Sequence, residues 1–203
     1  RNTNQRSKDY EKIKNDYRPG HADKTYIQKF GLRDHRGGGR SSGRETLARV
    51  IGGYFASLII PKVQFEAKIS RMGKLQVKPE NMDQKVNNYG VPHLSDEQVE
   101  EYLLDLKKQG DSCGGEVRLC ISNCPAGLGE PAFDKLKADL SKSLMSIGAV
   151  VGVTLGAGLS FLESSGKEIS KDVTNFGGIE GGISNGGKIN LSIFVKPTST
   201  IGE

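Results

Sequence analysis

Six consecutive residues, Arg18-Pro19-Gly20-His21-Ala22-Asp23, bring together a guanidinium, a rigid turn, an imidazole and a carboxylate. An imidazole titrates near neutral pH, so His21 is a candidate proton donor, with Asp23 fixing which ring nitrogen carries the proton. A lone histidine is more often structural than catalytic, and the pattern alone does not decide. Shortly after it, the basic glycine-rich run Arg33 to Arg40 leads into Ser41, Ser42 and Arg44. One reading is an RNA-binding segment whose arginines stack on bases, but such segments repeat and this one occurs once. The competing reading is a phosphate or carboxylate site built from backbone N–H groups, a helix N-terminus, the Ser41 and Ser42 hydroxyls, and the guanidinium groups of Arg40 and Arg44. In the plainest reading the serines only cap and the arginines only meet solvent. Near the other end, Lys196-Pro197-Thr198-Ser199-Thr200 offers one ammonium and three hydroxyls, a phosphate clamp or an ordinary loop.

Two nucleotide motifs are approached and missed. Gly182 to Lys188 fits the first seven positions of a P-loop, but Ile189 stands where a hydroxyl must hold magnesium, and Ile189 to Val195 alternates like a strand where a helix is required. Gly156-Ala157-Gly158 begins a dinucleotide fingerprint that fails at Phe161, where a third glycine is needed. Cys113, Cys120 and Cys124 form no CxxC pair and, with three scattered histidines, no zinc spacing; they read as reduced thiols of a cytosolic protein. The 203 residues carry 29 Lys+Arg against 24 Asp+Glu, a net charge of +5 that favours anionic partners. No apolar run approaches the roughly 20 residues of a membrane span. The 27 glycines are about twice the average share, without collagen period or low-complexity bias, so the fold calls for unusual backbone.

The elements that must position these groups are α and β mixed. Ser42-Gly43-Arg44-Glu45 fits a capping box ahead of Leu47, Ala48, Val50 and Ile51, predicting a helix from near Ser42. A second capping box at Ser95 to Gln98 precedes Val99, Tyr102, Leu103 and Leu106, predicting an amphipathic helix to about Gln109, stopped by Gly110. Pro131 is a favoured first helical residue, with Phe133, Leu136, Leu140 and Leu144 on one face. Strands are predicted over 65–72, 116–122, 150–155 and 189–195, each bounded by Gly or Pro. Irregular spacing of helices and strands favours α+β with antiparallel sheet over a doubly wound fold. The stretch 24–30 reads only as short and mixed, and 1–18 as a solvated helix or a lead-in.

Together these segments resemble chorismate synthases. The likeness rests on Arg18 to Asp23, Arg36-Gly37-Gly38-Gly39-Arg40-Ser41-Ser42-Gly43-Arg44-Glu45-Thr46, Pro125-Ala126-Gly127-Leu128-Gly129-Glu130-Pro131, Gly181-Gly182-Ile183-Ser184-Asn185-Gly186 and Lys196-Pro197-Thr198-Ser199, in that order along the whole chain. The resemblance implies a phosphate-lyase that converts 5-enolpyruvylshikimate 3-phosphate to chorismate by 1,4-anti elimination. It further implies reduced FMN, with NADPH as a possible reductant of the flavin, and a β-α-β sandwich of antiparallel sheets enclosing helices. A cytoplasmic homotetramer without nucleic-acid or membrane partners is also implied.

Residue by residue, the resemblance makes His21 the group that protonates reduced flavin and Arg18 a substrate-binding arginine. Arg40, Ser41 and Ser42 become flavin contacts, with Ser42 and Arg44 also reaching substrate. Gly181 becomes the glycine that lets the flavin approach, and Lys196, Pro197, Thr198, Ser199 and Thr200 the segment holding its phosphate. The sequence departs from the family where an initial segment with a second essential histidine and a terminal Arg-His-Asp stretch are expected, and between Leu159 and Gly177, where an acidic Asn-Asp portion is missing. His35 stands for the usual Tyr, and Gly43 for Ala. Residues 1–203 are thus expected to be one core domain, incomplete at both ends. The alternative function is an anion- or nucleic-acid-binding core that keeps the fold without the chemistry.

Overall fold

The computed structural model of the chain describes residues 10–11, 14–36 and 38–199. Its centre is a five-stranded antiparallel sheet of β1 (Gln64–Met72), β2 (Leu75–Gln76), β3 (Gly115–Ser122), β4 (Val150–Leu155) and β7 (Ile189–Val195), in the order β2-β1-β3-β7-β4. A separate hairpin pairs β5 (Ile179–Glu180) with β6 (Ile183–Ser184). The α+β class with antiparallel sheet is therefore what the chain adopts, and the four strands expected from alternation lie within about one residue of their predicted bounds. The two-residue strands β2, β5 and β6 are too short to leave a period in the sequence.

Register explains the alternation. Opposed residues of an antiparallel pair share a face. Leu119 lies opposite Ala67 and Leu191, and Ile121 opposite Phe65 and Ile189, so one face is apolar. Arg118 lies opposite Lys68 and Ser192, and Cys120 opposite Glu66 and Asn190, so the other is polar. Against the apolar face packs α4 (Leu136–Met145), whose Leu136, Leu140 and Leu144 meet Ile121, Cys124, Ile179, Ile189 and Leu191. Here Lys188 leads into β7, which confirms that the near P-loop opens no helix. A second cluster, Val77, Val91 and Val99 with Ile69, Met72 and Leu103, seats α3 (Asp96–Lys108). The Ser95 capping box is complete in both directions, at 2.9 and 3.3 Å, and Gly110 follows the helix at φ 65°.

Two helix starts differ from expectation. The helix predicted near Ser42 is α2 (Thr46–Ile59), preceded by a 3-10 turn over Gly43–Glu45. Ser42 does cap, accepting from Arg44 N–H, but Glu45 turns to Arg40 at 3.2 Å and so does not close the reciprocal half of the box. The helix predicted at Pro131 starts only at Leu136, because Leu136 N–H is held by the Gly182 carbonyl at 2.8 Å and Lys135 keeps an extended backbone. Phe133, predicted on the buried face, is 92% exposed.

The mixed stretch 24–30 is α1 (Asp23–Phe30), ended by Gly31 at φ 71°, and α5 (Gly166–Ile169) is a single turn with its own capping box at Ser165. The glycine-rich run is irregular up to a 3-10 turn at Gly39–Ser41; most of the predicted N-terminal lead-in, and Gly37, lie outside the described residues. Helix α2 is apolar on every side yet buries no residue; Leu47, Val50, Tyr54 and Leu58 are all at least 60% exposed. Its Arg49 reaches Ser146 beyond α4, at 2.8 Å to the hydroxyl and 2.9 Å to the carbonyl. No described helix is long and apolar enough to cross a membrane.

Ile189, 1% exposed, joins sheet and helix, whereas Leu104 on α3 is 55% exposed. Ile189→Ala is expected to cost about 2–5 kcal/mol, and Leu104→Ala less than about 0.5 kcal/mol, in urea unfolding.

Candidate functional site

The chain enters the site through a tight turn. Gly20 at φ 68° closes it, with His21 N–H bonded to the Arg18 carbonyl at 3.2 Å. Asp23 then opens α1, where a carboxylate suits the helix N-terminus, but this carboxylate is only 4% exposed. Burial demands compensation, and three side chains supply it. Arg33 Nη1 lies 2.7 Å from Oδ1, Arg18 Nε 3.0 Å from Oδ2, and His21 Nδ1 3.0 Å from Oδ1. Burial alone would raise the Asp23 carboxyl, but hydrogen bonds from Arg18 and Arg33 outweigh it and hold the group well below the usual carboxylate range.

Partners fix the imidazole. His21 Nδ1 stands 3.0 Å from Asp23 Oδ1, an ion-pair distance when the ring is protonated. Arg18 Nη2 lies 3.0 Å from Nε2 and 3.1 Å from Nδ1, so it sits over the ring and not along either in-plane lone pair. His21 is thereby held between the Asp23 carboxylate and the Arg18 guanidinium.

Lys196 comes to the same turn. It follows β7, its N–H bonds Ala149 O at 2.9 Å, and its ammonium donates to the Gly20 carbonyl. Thr198 O accepts from Ser112 at 3.0 Å, while Pro197 lies beside Gly114 with no room for a side chain between them. Thr200 lies outside the described residues, and Ser199 ends the described chain.

The Arg40 to Arg44 turn stands before α2, built on Gly38 and Gly39 at φ 83° and 48°. Its groups serve one another. Ser41 donates to Gly38 O at 2.6 Å, Ser42 accepts from Arg44 Nε at 3.1 Å, and Arg40, with its side chain 85% exposed, meets Glu45. Gly181 lies elsewhere, at the β5–β6 turn, with φ 59° and open space where a Cβ would stand. It borders a cavity of about 610 Å3 shared with Lys137, Thr154, Phe161 and Phe176, the two rings 6.2 Å apart. Leu155 of that cavity pairs with Leu191, so Lys196 lies five residues farther along the same strand line, roughly 16 Å.

The structure thus gathers Arg18, His21 and Lys196 around Gly20, and sets Gly181 at a distance. It also adds Arg33, which sequence reasoning missed. Arg33 meets Asp23 across the whole of α1, a separation that leaves no local signature; only a buried acid in search of a cation would have pointed to it. A larger cavity, about 720 Å3, lies on the polar sheet face by Lys68, Arg118, Cys120 and Asn190. Its floor is paired internally, Lys68 with Glu66 at 2.9 Å and Arg118 with Glu116 at 3.6 Å.

Comparison with known proteins places the chain in one family. The family model described as Chorismate synthase matches residues 1–203. A chorismate synthase of Flavobacterium psychrophilum is 43% identical over 99% of this chain and 61% of its own length. A solved structure titled as a crystal structure of chorismate synthase aligns with a TM-score of 0.74 at 26% identity, over 87% of this chain and 62% of that one. The chain therefore spans about three fifths of the length of these relatives.

Because the folded Asp23 carboxyl sits below its ordinary value of 3.8, it contributes stability above that pH and loses it as pH falls through and below that value. The stability gap between wild type and Asp23→Asn is therefore expected to be widest from pH 5 upward and to narrow steadily toward pH 2 in thermal melts. A gap that stays constant across that range would contradict the ion cluster.

Proposed function

Since the chain belongs to the chorismate synthase family, we propose that the protein eliminates phosphate from 5-enolpyruvylshikimate 3-phosphate to give chorismate, with reduced FMN bound. The observation that carries this reading is the meeting of the Arg18–His21 pair with the Lys196 ammonium at Gly20. Substrate and cofactor would bring two phosphates and two carboxylates into one place. Without fixed cations, such charges would repel at low dielectric.

In this reading Arg18 and Arg44 hold the substrate's anionic groups, since a guanidinium fork matches carboxylate and phosphate, and Ser42 adds a hydroxyl. His21 exchanges a proton while the Asp23 carboxylate, 3.0 Å from Nδ1, orients the ring. Hydrogen bonds and cations placed around the departing phosphate favour the transition state over bound substrate.

The chain fits a flavin mononucleotide at two kinds of place. Gly181 leaves open backbone beside Phe161 and Phe176, where a flat ring can lie and a Cβ would intrude. Lys196, Pro197, Thr198, Ser199 and Thr200 would take the phosphate, with Arg40, Ser41 and Ser42 as further contacts. Leu155 of the cavity pairs with Leu191, roughly 16 Å along the strand line from Lys196, so the two places leave room for a long ligand with a phosphate at one end and a ring at the other. When bound, reduced FMN supplies an electron-rich ring to the reacting carbon framework. NADPH is the proposed reductant of that flavin, and the active form a homotetramer. The free thiols of all three cysteines agree with a cytoplasmic location.

Titrating FMN into full-length protein with and without the phosphorylated substrate tests the reading. Substrate is expected to tighten flavin binding and to yield chorismate absorbance. No tightening and no product would leave an anion-binding core. In the same assay, Arg44→Ala is expected to weaken substrate about tenfold, as loss of a charged hydrogen bond would, while flavin stays within about twofold. Equal weakening of both ligands would remove the substrate role from Arg44.

A further inference from the structure

The two arginines on Asp23 are not equivalent. The Arg33 side chain is 8% exposed, and the nitrogen it does not give to Asp23 bonds the Lys14 carbonyl at 2.6 Å and the Asp16 carbonyl at 3.0 Å. Its guanidinium carbon stands 5.3 Å over the Tyr17 ring. A planar fork engaged with three acceptors and a ring cannot rotate without losing them together. The Arg18 side chain is 25% exposed; its Nε holds Asp23 Oδ2 at 3.0 Å while its terminal nitrogen lies 3.0 Å from His21 Nε2. That nitrogen also lies 3.4 Å from Asp23 Oδ1, a longer and more exposed contact than the 2.7 Å bond from Arg33, so Arg18 is the arginine an anion can draw away while Arg33 holds the carboxylate.

We propose that Arg33 is the positioning residue of this site: it keeps the buried Asp23 carboxylate paired at all times, which lets Arg18 leave for an anionic ligand and uncovers His21 Nε2. The inference rests on Arg18 and His21 facing ligand, as in the proposed function. Without Arg33, departure of Arg18 would leave the buried carboxylate with no guanidinium, so Arg18 would stay where it is. Replacing Arg33 should therefore weaken anion binding although Arg33 itself touches no anion. Neutralising Asp23 as well should release Arg18 again.

The test uses full-length protein as wild type, Arg33→Gln, Arg33→Lys and the double variant Arg33→Gln/Asp23→Asn. Inorganic phosphate is titrated while the His21 15N resonances are followed, and substrate KM and turnover are measured separately. In wild type, phosphate is expected to move the Nε2 resonance as Arg18 withdraws. Arg33→Gln should need about tenfold more phosphate and show about tenfold higher KM, the scale of a charged hydrogen bond, with flavin affinity within about twofold. The double variant should recover phosphate response and KM to within about threefold of wild type while turnover stays low, because His21 has lost its carboxylate.

A double variant no better than Arg33→Gln would overturn the proposal, as would an unmoved Nε2 resonance in wild type. Should Arg33→Gln fail to fold, Arg33→Lys carries the test, with a loss of about threefold expected and full wild-type response overturning it. The phosphate response separates this inference from the proposed reaction. An Arg33-dependent response without turnover would sink the reaction alone, and normal turnover unaffected by Arg33 would sink the positioning role alone.

Discussion

A carboxylate cannot be withdrawn from water by itself, and the burial of Asp23 dictates most of what surrounds it. Two guanidinium groups and an imidazole are drawn to it, and in coming they fix three otherwise separate pieces of chain: the turn at Gly20, the first turn of α1, and the loop after α1. Arg33 extends the same knot back to Lys14 and Asp16. The position of the His21 ring is a consequence of this arrangement, with the carboxylate at its Nδ1 and the Arg18 guanidinium over it.

The sheet applies a different constraint with a similar result. Backbone approaches it too closely for a side chain at several places, as at Gly178 just before β5, where a Cβ would come 2.5 Å from the Lys188 carbonyl at a φ of 76°. The loop from β4 to β7 can therefore fold back on the sheet, and that return carries the β5–β6 hairpin with Gly181 to the N-terminus of α4. Close packing of backbone accounts for part of the glycine excess, and left-handed turns for another part. Gly178 is glycine because backbone is near, and Gly181 because its φ of 59° suits no side chain.

Elements with a long period were legible from sequence, and short or externally determined ones were not. Ile189 to Val195 and Phe65 to Met72 alternate because one sheet face is apolar, so the strands announce themselves. The capping box at Ser95 fixed the start of α3 because both reciprocal bonds are local. At Ser42 and Pro131 the same local rules misplaced the α-helix start: Glu45 turned to the nearby Arg40, and Leu136 found the Gly182 carbonyl, a partner far along the chain. Within the site, Arg18, His21 and Asp23 were legible because they share one turn. Arg33 was not, because what assigns it is burial of a distant acid. The chorismate synthase motifs fixed the family, but motif order says nothing of distance, and it was the fold that set Lys196 beside Gly20 and Gly181 well away.

The rigidity of the two places proposed to hold ligand differs, and this bears on how they would act together. Lys196 is tied by its own N–H to Ala149 and follows directly from a strand paired on both sides, so its backbone is as fixed as the sheet. The Arg40 to Arg44 turn is tied chiefly to itself and leads into α2, which buries none of its apolar residues among those described. A ligand clamped at Lys196 would meet a surface already in place, whereas one engaging Arg40 and Arg44 must first break Arg40 from Glu45 and Arg44 from Ser42. Exposed pairs of this kind hold by about 1 kcal/mol or less, so an anion bringing two charges can displace them readily. In the proposed function, then, a phosphate at Lys196 would meet a preformed hold, and the arginine turn would be the part that rearranges.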